Sequence, residues 1–401
     1  MATLLFANEF GSGLGHLNRL IAVAKQFVGG HELTFLLPHK GYAPAVRQAL
    51  GSRAEIRIGA TWRPPRDIAT ARRVPTHTFA DTMQLFGFHE VQKLAAAAQN
   101  CAKILDETAP DVIVSDFAPT LRLASAGRIP TIVLGSGYTV PPASVPLPPM
   151  RPWERSVPPQ SRLHEFRLLA AANQVCVMLR RPAVDFLSDL FQGDSTFVST
   201  LPEFDPYQKA RSAAPLWPFN VPDMPEVREF SARRGPPVFC YMKREHPALN
   251  TILDALGTLD CESAIYVGET DPARTAPKCT EKMRLHDTPA DFRTILPETS
   301  ILIHHGGLGT SYSGLMAGVP QIIFPENLEQ AINARGLQQF NVGLPFNTAP
   351  PPSPRILRDA IGSTLSDPAR KASALRAARD LQGRRDKHSL DRVVAACRQY
   401  L

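Results

Sequence analysis

No stretch of the chain reaches the ~18 uninterrupted apolar residues that a membrane-spanning helix requires. The opening MATLLFANEF lacks the basic region that starts a secretory signal peptide, and it reads instead as a first β-strand running into a glycine-rich turn. Cysteine is sparse and scattered: Cys101, Cys176, Cys240, Cys261, Cys279 and Cys397 form no CxxC pair and no compact cluster. Neither a zinc site nor a disulfide framework is indicated, so reduced thiols, no bound metal and a cytoplasmic location are expected. Internal repeats of short period and low-complexity tracts are also missing, which excludes solenoid and disordered classes.

Neither sign of charge dominates: 44 Lys and Arg against 37 Asp and Glu leave +7. Residues 355–401 hold eleven Lys and Arg against five Asp, but the two signs interleave along Ala/Leu-rich helical sequence. That pattern reads as a solvated helix face; no nucleic-acid partner is expected, while peripheral contact with a membrane-borne acceptor is permitted.

What the chain has in excess is proline, 38 residues concentrated at loops and caps. At 401 residues it is too long for one core, so two domains are expected. Short apolar runs (Thr3 to Ala7, Leu33 to Leu37, Asp111 to Ser115, Pro130 to Leu134) alternate with helical stretches such as Val91 to Leu105, the rhythm of an α/β domain with a parallel sheet. Two segments break it: 57–90, polar and proline-bearing, and 141–159, with eight prolines. A proline-rich passage over 201–237 then precedes fresh strands at 238–241, 264–267, 300–304 and 321–324. Ser353-Pro354 and Asp367-Pro368 read as N-cap and N1 pairs of two closing helices. The expected division is 1–218, 219–384, and a terminal helix at 385–401 packing back on the first domain. Open sheets of this kind bind ligands at the carboxyl ends of their strands.

The densest chemical signal follows the strand 300–304, where His305, Gly306, Gly307, Leu308, Gly309 and Thr310 form a turn that opens a helix. Glycine admits an anion close to unpaired backbone N–H groups, and His305 and Thr310 can add donors, so a diphosphate suits the turn. Tight strand-to-helix packing alone would explain a lone turn of this type. Adjacent strand residues face opposite ways, so His304 is expected to be structural and not to share a metal with His305. Lys243 and Arg244 beyond strand 238–241 either add positive charge there or sit on a solvated loop. A second turn after strand 3–7 holds Gly11, Gly13, Gly15 and His16 but is not a clean dinucleotide fingerprint.

The run HHGGLGTSYSGLMAGVPQIIFPENLEQAINARGLQQFNVG resembles the donor signature of the UDP-glycosyltransferase superfamily, whose fold is GT-B: two facing Rossmann-like α/β domains with a cleft between them. The resemblance implies an N-terminal acceptor domain and a C-terminal nucleotide-sugar domain. It implies that His305, Gly307, Gly309 and Thr310 hold the diphosphate and that Glu329 and Gln330 hold sugar hydroxyls. Ser313 occupies the donor-site position where many members grip ribose with glutamate; Glu329 stands where aspartate is commoner. The segment Leu285 to Ala290, LHDTPA, carries no aromatic where relatives stack one on uracil.

At the N-terminus the resemblance makes His16 the general base, with Gly13 and Gly15 beside the acceptor, and Asp116 of AspPheAlaPro its partner. Imidazole suits that task because it titrates near neutrality and a carboxylate on its far nitrogen fixes the tautomer. The expectation is an inverting transfer of a hexose-type sugar from a nucleotide sugar, UDP-linked by default with dTDP and GDP sugars left open, to a hydroxyl of a small-molecule or lipid acceptor, with no cofactor. The alternatives are an inactive nucleotide-sugar-binding homologue and a nucleotide-sugar 2-epimerase.

Overall fold

The computed structural model describes residues 1–11, 13–62, 76–154, 156–221, 223–268, 279–347 and 350–401. Residues 63–75 of the 57–90 segment, Ser12 of the first glycine turn, Arg155 of the 141–159 stretch and Pro222 of the 201–237 passage lie outside the described residues. The chain forms two compact units, Met1–Asn220 with Asp386–Leu401, and Val221–Arg385.

In the first unit six parallel strands, β1 (Thr3–Ala7), β2 (Glu32–Leu37), β3 (Ala54–Ile58), β4 (Val112–Asp116), β5 (Thr131–Gly135) and β6 (Ser195–Val198), lie in the order β3-β2-β1-β4-β5-β6. The helices are α1 (Gly15–Ala24), α2 (Ala43–Leu50), α3 (Phe79–Leu85), α4 (Val91–Thr108), α5 (Pro119–Ser125) and α6 (Pro159–Leu179). Strand residues alternate between two cores, as the pleat requires. Leu4 and Phe6 of β1 pack with α1, whereas Leu5 and Ala7 pack with Cys101, Ile104 and Leu105 of α4. The register sets Ala7, the last residue of β1, beside Ser115, so Asp116 at the end of β4 lies one residue beyond it.

The second unit repeats this plan. Its strands β7 (Val238–Lys243), β8 (Ser263–Gly268), β9 (Met283–His286), β10 (Ile301–His304), β11 (Gln321–Ile323) and β12 (Gly343–Pro345) lie in the order β12-β11-β10-β7-β8-β9, all parallel. The order reverses direction between β7 and β10, as it does between β1 and β4 in the first unit. Each unit is therefore Rossmann-like, with a topological switch point where ligands of such sheets bind. Its helices are α7 (Leu249–Gly257), α8 (Phe292–Ile295), α9 (Leu308–Met316), α10 (Leu328–Gln339), α11 (Pro354–Ser366) and α12 (Pro368–Arg384). The Ser353 and Asp367 side chains cap α11 and α12 as their Pro-bearing sequences predict. The terminal helix α13 (Ser389–Arg398) places Val393, Val394, Ala396 and Cys397 in the core of the first unit. Among the described residues no helix is long and apolar enough to cross a membrane.

Helices α3 and α6 are among the elements that depart from the sequence reading. Helix α3 lies inside the 57–90 segment read as irregular; its seven residues are too few to display a helical period, and a capping box of Thr78 and Asp81 starts it. Helix α6 was not expected because its apolar residues surround it: Leu168, Ala171 and Val175 are buried while Leu163, Phe166, Val177 and Met178 are exposed.

Candidate active site

The switch point of the first unit gathers a buried polar cluster. His16 enters on the first turn of α1 and Asp116 is the last residue of β4. The His16 Nδ1 lies 2.8 Å from Asp116 Oδ1, and Arg19 Nε donates to Asp116 Oδ2 at 2.6 Å. Relative exposures are 8% for His16, 3% for Arg19 and 0% for Asp116. Burial would raise the Asp116 carboxyl, but the Arg19 charge and then His16 outweigh it and hold the group below the usual carboxylate range. A carboxylate only accepts hydrogen bonds, so His16 carries its proton on Nδ1 and leaves the Nε2 lone pair available. His16 Nε2 makes no hydrogen bond among the described residues.

The backbone around the pair is tightly specified. Asn8 donates through Nδ2 to the carbonyls of Asp116 and Phe10, at 2.9 and 2.8 Å. Phe117, directly after Asp116, is held at φ +57°, a left-handed conformation that an aromatic residue rarely adopts. Its ring stacks on Phe10 with centroids 4.8 Å apart and lies 6.0 Å from the His16 ring. Gly11, at φ +99°, runs directly against the His16 imidazole. Gly13 (φ +92°) and Gly15 are exposed, and a Cβ on either would meet nothing within 4 Å. Of these glycines, then, Gly11 is the one whose missing side chain leaves room for the imidazole.

The second switch point holds the other cluster. Gly306, at φ +90°, donates its N–H to His304 Nδ1 at 3.1 Å. That donor fixes the His304 proton on Nε2, which donates to Gln321 Oε1 at 2.9 Å. His304 is wholly buried and structural; burial lowers it to about 4 against the raising effect of Gln321. Asn333 of α10 donates through Nδ2 to the Gly306 carbonyl at 2.9 Å. Three side chains thus hold the turn in place beneath His305.

His305 is half-exposed as a residue, yet its Nδ1 is buried without a hydrogen-bond partner among the described residues. Burial first, then the charges of Lys243, His304 and His246, push its pKa down to about 3, so it is neutral at physiological pH. Gly307 is the N-cap of α9; Gly309 is exposed and Thr310 half-buried in its first turn. Lys243, the last residue of β7, is half-buried and close enough to act on His305. Ser313, one turn further along α9, is buried to 1% exposure and presents almost no surface to a ligand.

Glu329 and Gln330 open α10, which Asn327 caps. Glu329 is half-exposed, whereas Gln330 is buried and its Oε1 already accepts the Glu326 N–H at 2.7 Å. Gln330 can offer a ligand its Nε2 donors, while one of the two lone pairs on its oxygen is already engaged. Among the described residues no group of three or more His, Cys, Asp or Glu side chains is placed to hold a metal ion.

Sequence reasoning missed Arg19, Asn8, Gln321 and Asn333. Arg19 lies one helical turn beyond His16 in GHLNR, a spacing that puts both on one face and could have exposed the link.

Residues 250–387 match the family described as erythromycin biosynthesis protein CIII-like, C-terminal domain. The chain is 32% identical over 90 residues to the 3-alpha-mycarosylerythronolide B desosaminyl transferase of Saccharopolyspora erythraea, covering 22% of this chain and 21% of that protein. The matches to the first four curated relatives span 21, 31, 29 and 61% of those proteins' own lengths. In three dimensions it resembles CalG4, the calicheamicin glycosyltransferase, with TM-score 0.66 and 20% identity over 100% of this chain and 98% of that one. It also resembles the glycosyltransferase VinC in complex with dTDP, with TM-score 0.66 and 15% identity over 98% of this chain and 100% of that one. Two Rossmann-like units and these neighbours show that the chain has the GT-B fold, and residues 250–387 resemble the C-terminal domain of the erythromycin biosynthesis protein CIII-like family.

Proposed function

We propose that this chain transfers a sugar from a nucleoside diphosphate sugar to a hydroxyl group of a small-molecule or lipid acceptor, with inversion at the anomeric carbon. The observation that carries the reading is the buried 2.8 Å His16–Asp116 pair, whose geometry leaves Nε2 as a base. The acceptor O–H gives its proton to His16 Nε2 while its oxygen bonds to the anomeric carbon. The bond from that carbon to the diphosphate oxygen breaks, and the nucleoside diphosphate leaves with the electron pair. Asp116 stabilises the imidazolium, and the 305–310 turn, with its backbone N–H groups, His305 and Thr310, neutralises the departing charge. A single displacement at that carbon inverts it.

UDP is the default that the donor signature implies, but Ser313 replaces the ribose-gripping glutamate and is buried. A donor with one hydroxyl fewer on its pentose loses less at such a site, which favours thymidine over uridine diphosphate sugars. The dTDP complex of VinC supports the same choice.

The test uses the full chain with UDP- and dTDP-sugars and a panel of hydroxylated acceptors, scored by product mass and anomeric configuration. The expected result is transfer with inversion, lost in His16→Ala while donor affinity stays within about twofold. Full activity in that variant would sink the base assignment; donor binding without turnover on every acceptor would favour a binding protein. Tighter binding of UDP than dTDP would overturn the thymidine preference.

A further inference from the structure

The His16–Asp116 pair has a third member. Besides donating to Asp116 through Nε, Arg19 brings its Nη2 to 3.2 Å from His16 Nδ1. A guanidinium only donates, and so does an Nδ1–H that serves Asp116, so this contact is not a hydrogen bond in the base-competent tautomer. It sets a permanent positive charge against that edge of the ring.

We propose that Arg19 is a positioning residue that keeps His16 neutral: by acting as the fixed counter-ion of Asp116, it relieves the imidazole of that role. The inference rests on His16 being the general base. Its argument is charge balance in a dry site. Asp116 is fully buried and ionised, and an isolated buried carboxylate is strongly unfavourable unless paired. With Arg19 present, the carboxylate and guanidinium cancel, and the cluster is neutral while His16 holds one proton. Without Arg19, the group left bonded to Asp116 among the described residues that can supply the balancing charge is His16, as imidazolium. A doubly protonated ring has no lone pair on Nε2 and cannot take the acceptor proton.

The groups that face the imidazole on its other sides do not alter this account. Phe117 and the Gly11 backbone are uncharged, and Arg19 and Asp116 are the ionisable residues bonded to His16 among the described residues. Arg19 also opposes the imidazolium formed during transfer, but Asp116 still accepts the Nδ1–H at that moment. What Arg19 changes is the resting state.

The test labels the full chain with 15N-histidine and assigns His16 by its absence in His16→Gln. Near neutral pH the wild type is expected to show one protonated nitrogen, Nδ1, and one unprotonated nitrogen, Nε2. Arg19→Met is expected to show both nitrogens protonated, and Arg19→Lys, which retains the charge, to restore the wild-type pattern. Transfer should fall by about 10-fold or more in Arg19→Met, with donor KM within about twofold and partial recovery in Arg19→Lys. If Arg19→Met does not fold, Arg19→Gln, neutral but able to donate to Asp116, carries the same comparison. A neutral Nδ1–H imidazole in the folded uncharged variant would overturn the proposal. Because the readout is spectroscopic, it stands apart from the base assignment, which fails separately if His16→Ala remains active.

Discussion

Gly11 leaves room for the His16 ring: a Cβ at residue 11 would stand 2.5 Å from both Cδ2 and Nε2 of that imidazole. In the proposed transfer Nε2 is the atom that meets the acceptor hydroxyl, which would make Gly11 and His16 one device. Its φ of +99° adds a second demand that only glycine meets readily. Gly11→Ala should therefore destabilise the fold by about 1–3 kcal/mol and displace the His16 ring. Transfer should fall by ~100-fold, since a small misplacement of a reacting group suffices for that. Gly13→Ala, with open space around its Cβ, should leave the imidazole undisturbed. Thermal melts together with kcat for both variants check this; wild-type kcat in Gly11→Ala would show that the ring does not need the space.

Glu9 gives the chain a predictable pH dependence of stability. It is buried, accepts the N–H groups of Thr120 and Leu121 at 3.1 and 2.6 Å, and is raised by burial to about 7 despite those bonds. The folded state thus holds a proton that the unfolded chain releases near its ordinary value of 4.5. Stability from this group is full below about 4.5 and is lost as pH rises through about 7. Glu9→Gln removes the ionisation. The stability difference between wild type and variant should shift against the wild type by about 3 kcal/mol from acid to slightly alkaline pH. Urea denaturation at a series of pH values measures it, and a pH-independent difference would refute it.

His305 leads to a different expectation. With its pKa pushed down to about 3, chiefly by burial, it would act in the proposed donor site as a neutral hydrogen-bond donor to the diphosphate. An intact nucleotide sugar has no phosphate ionisation near neutrality, so its affinity should not follow His305 protonation between about pH 5 and 8. His305→Ala should weaken it by roughly 10-fold, the loss of one donor to a charged group. Calorimetric titration across that range decides the matter. A tenfold loss per pH unit toward the alkaline end would mean that a charged imidazole is required.

The same physics explains what could be read from sequence. Strands buried on both faces appear as short apolar runs, so β1, β2, β4, β5, β7, β8, β10 and β11 were legible. Strand β3, with Glu55 and Arg57 pointing out, β6, half-exposed throughout, and the three-residue β12 carry too little apolar signal. His16, Asp116 and His305 were visible because glycine turns and strand ends mark them. Arg19 was not, because its spacing from His16 puts both on one helix face but says nothing of the carboxylate 97 positions away that both contact. The burial of Gln330 and Ser313 likewise depends on packing that no local pattern encodes.

A second carboxylate–imidazole pair in the first unit shows why context, not residue type, selects the base. His164 Nδ1 of α6 lies 2.7 Å from Asp81 Oδ1, as close as the His16 pair. Asp81, however, also accepts the N–H groups of His77 and Thr78 at 2.8 and 2.9 Å and the Ser161 hydroxyl at 2.8 Å. Burial would raise its pKa, but these bonds together pull it below the ordinary carboxylate value. The pair fastens the start of α3 to α6, and its His164 Nε2 is turned to Gln160 at 3.0 Å. Asp81→Ala would strand several buried donors and should destabilise the fold by about 3 kcal/mol. His164→Ala should lower the melting temperature while leaving kcat within a few-fold of wild type, in contrast to His16→Ala. Melting curves and transfer assays on the folded variants compare the two pairs directly. If folded His164→Ala lost transfer as completely as His16→Ala, a merely structural Asp81–His164 pair would be untenable, and the switch-point argument for His16 would lose its force.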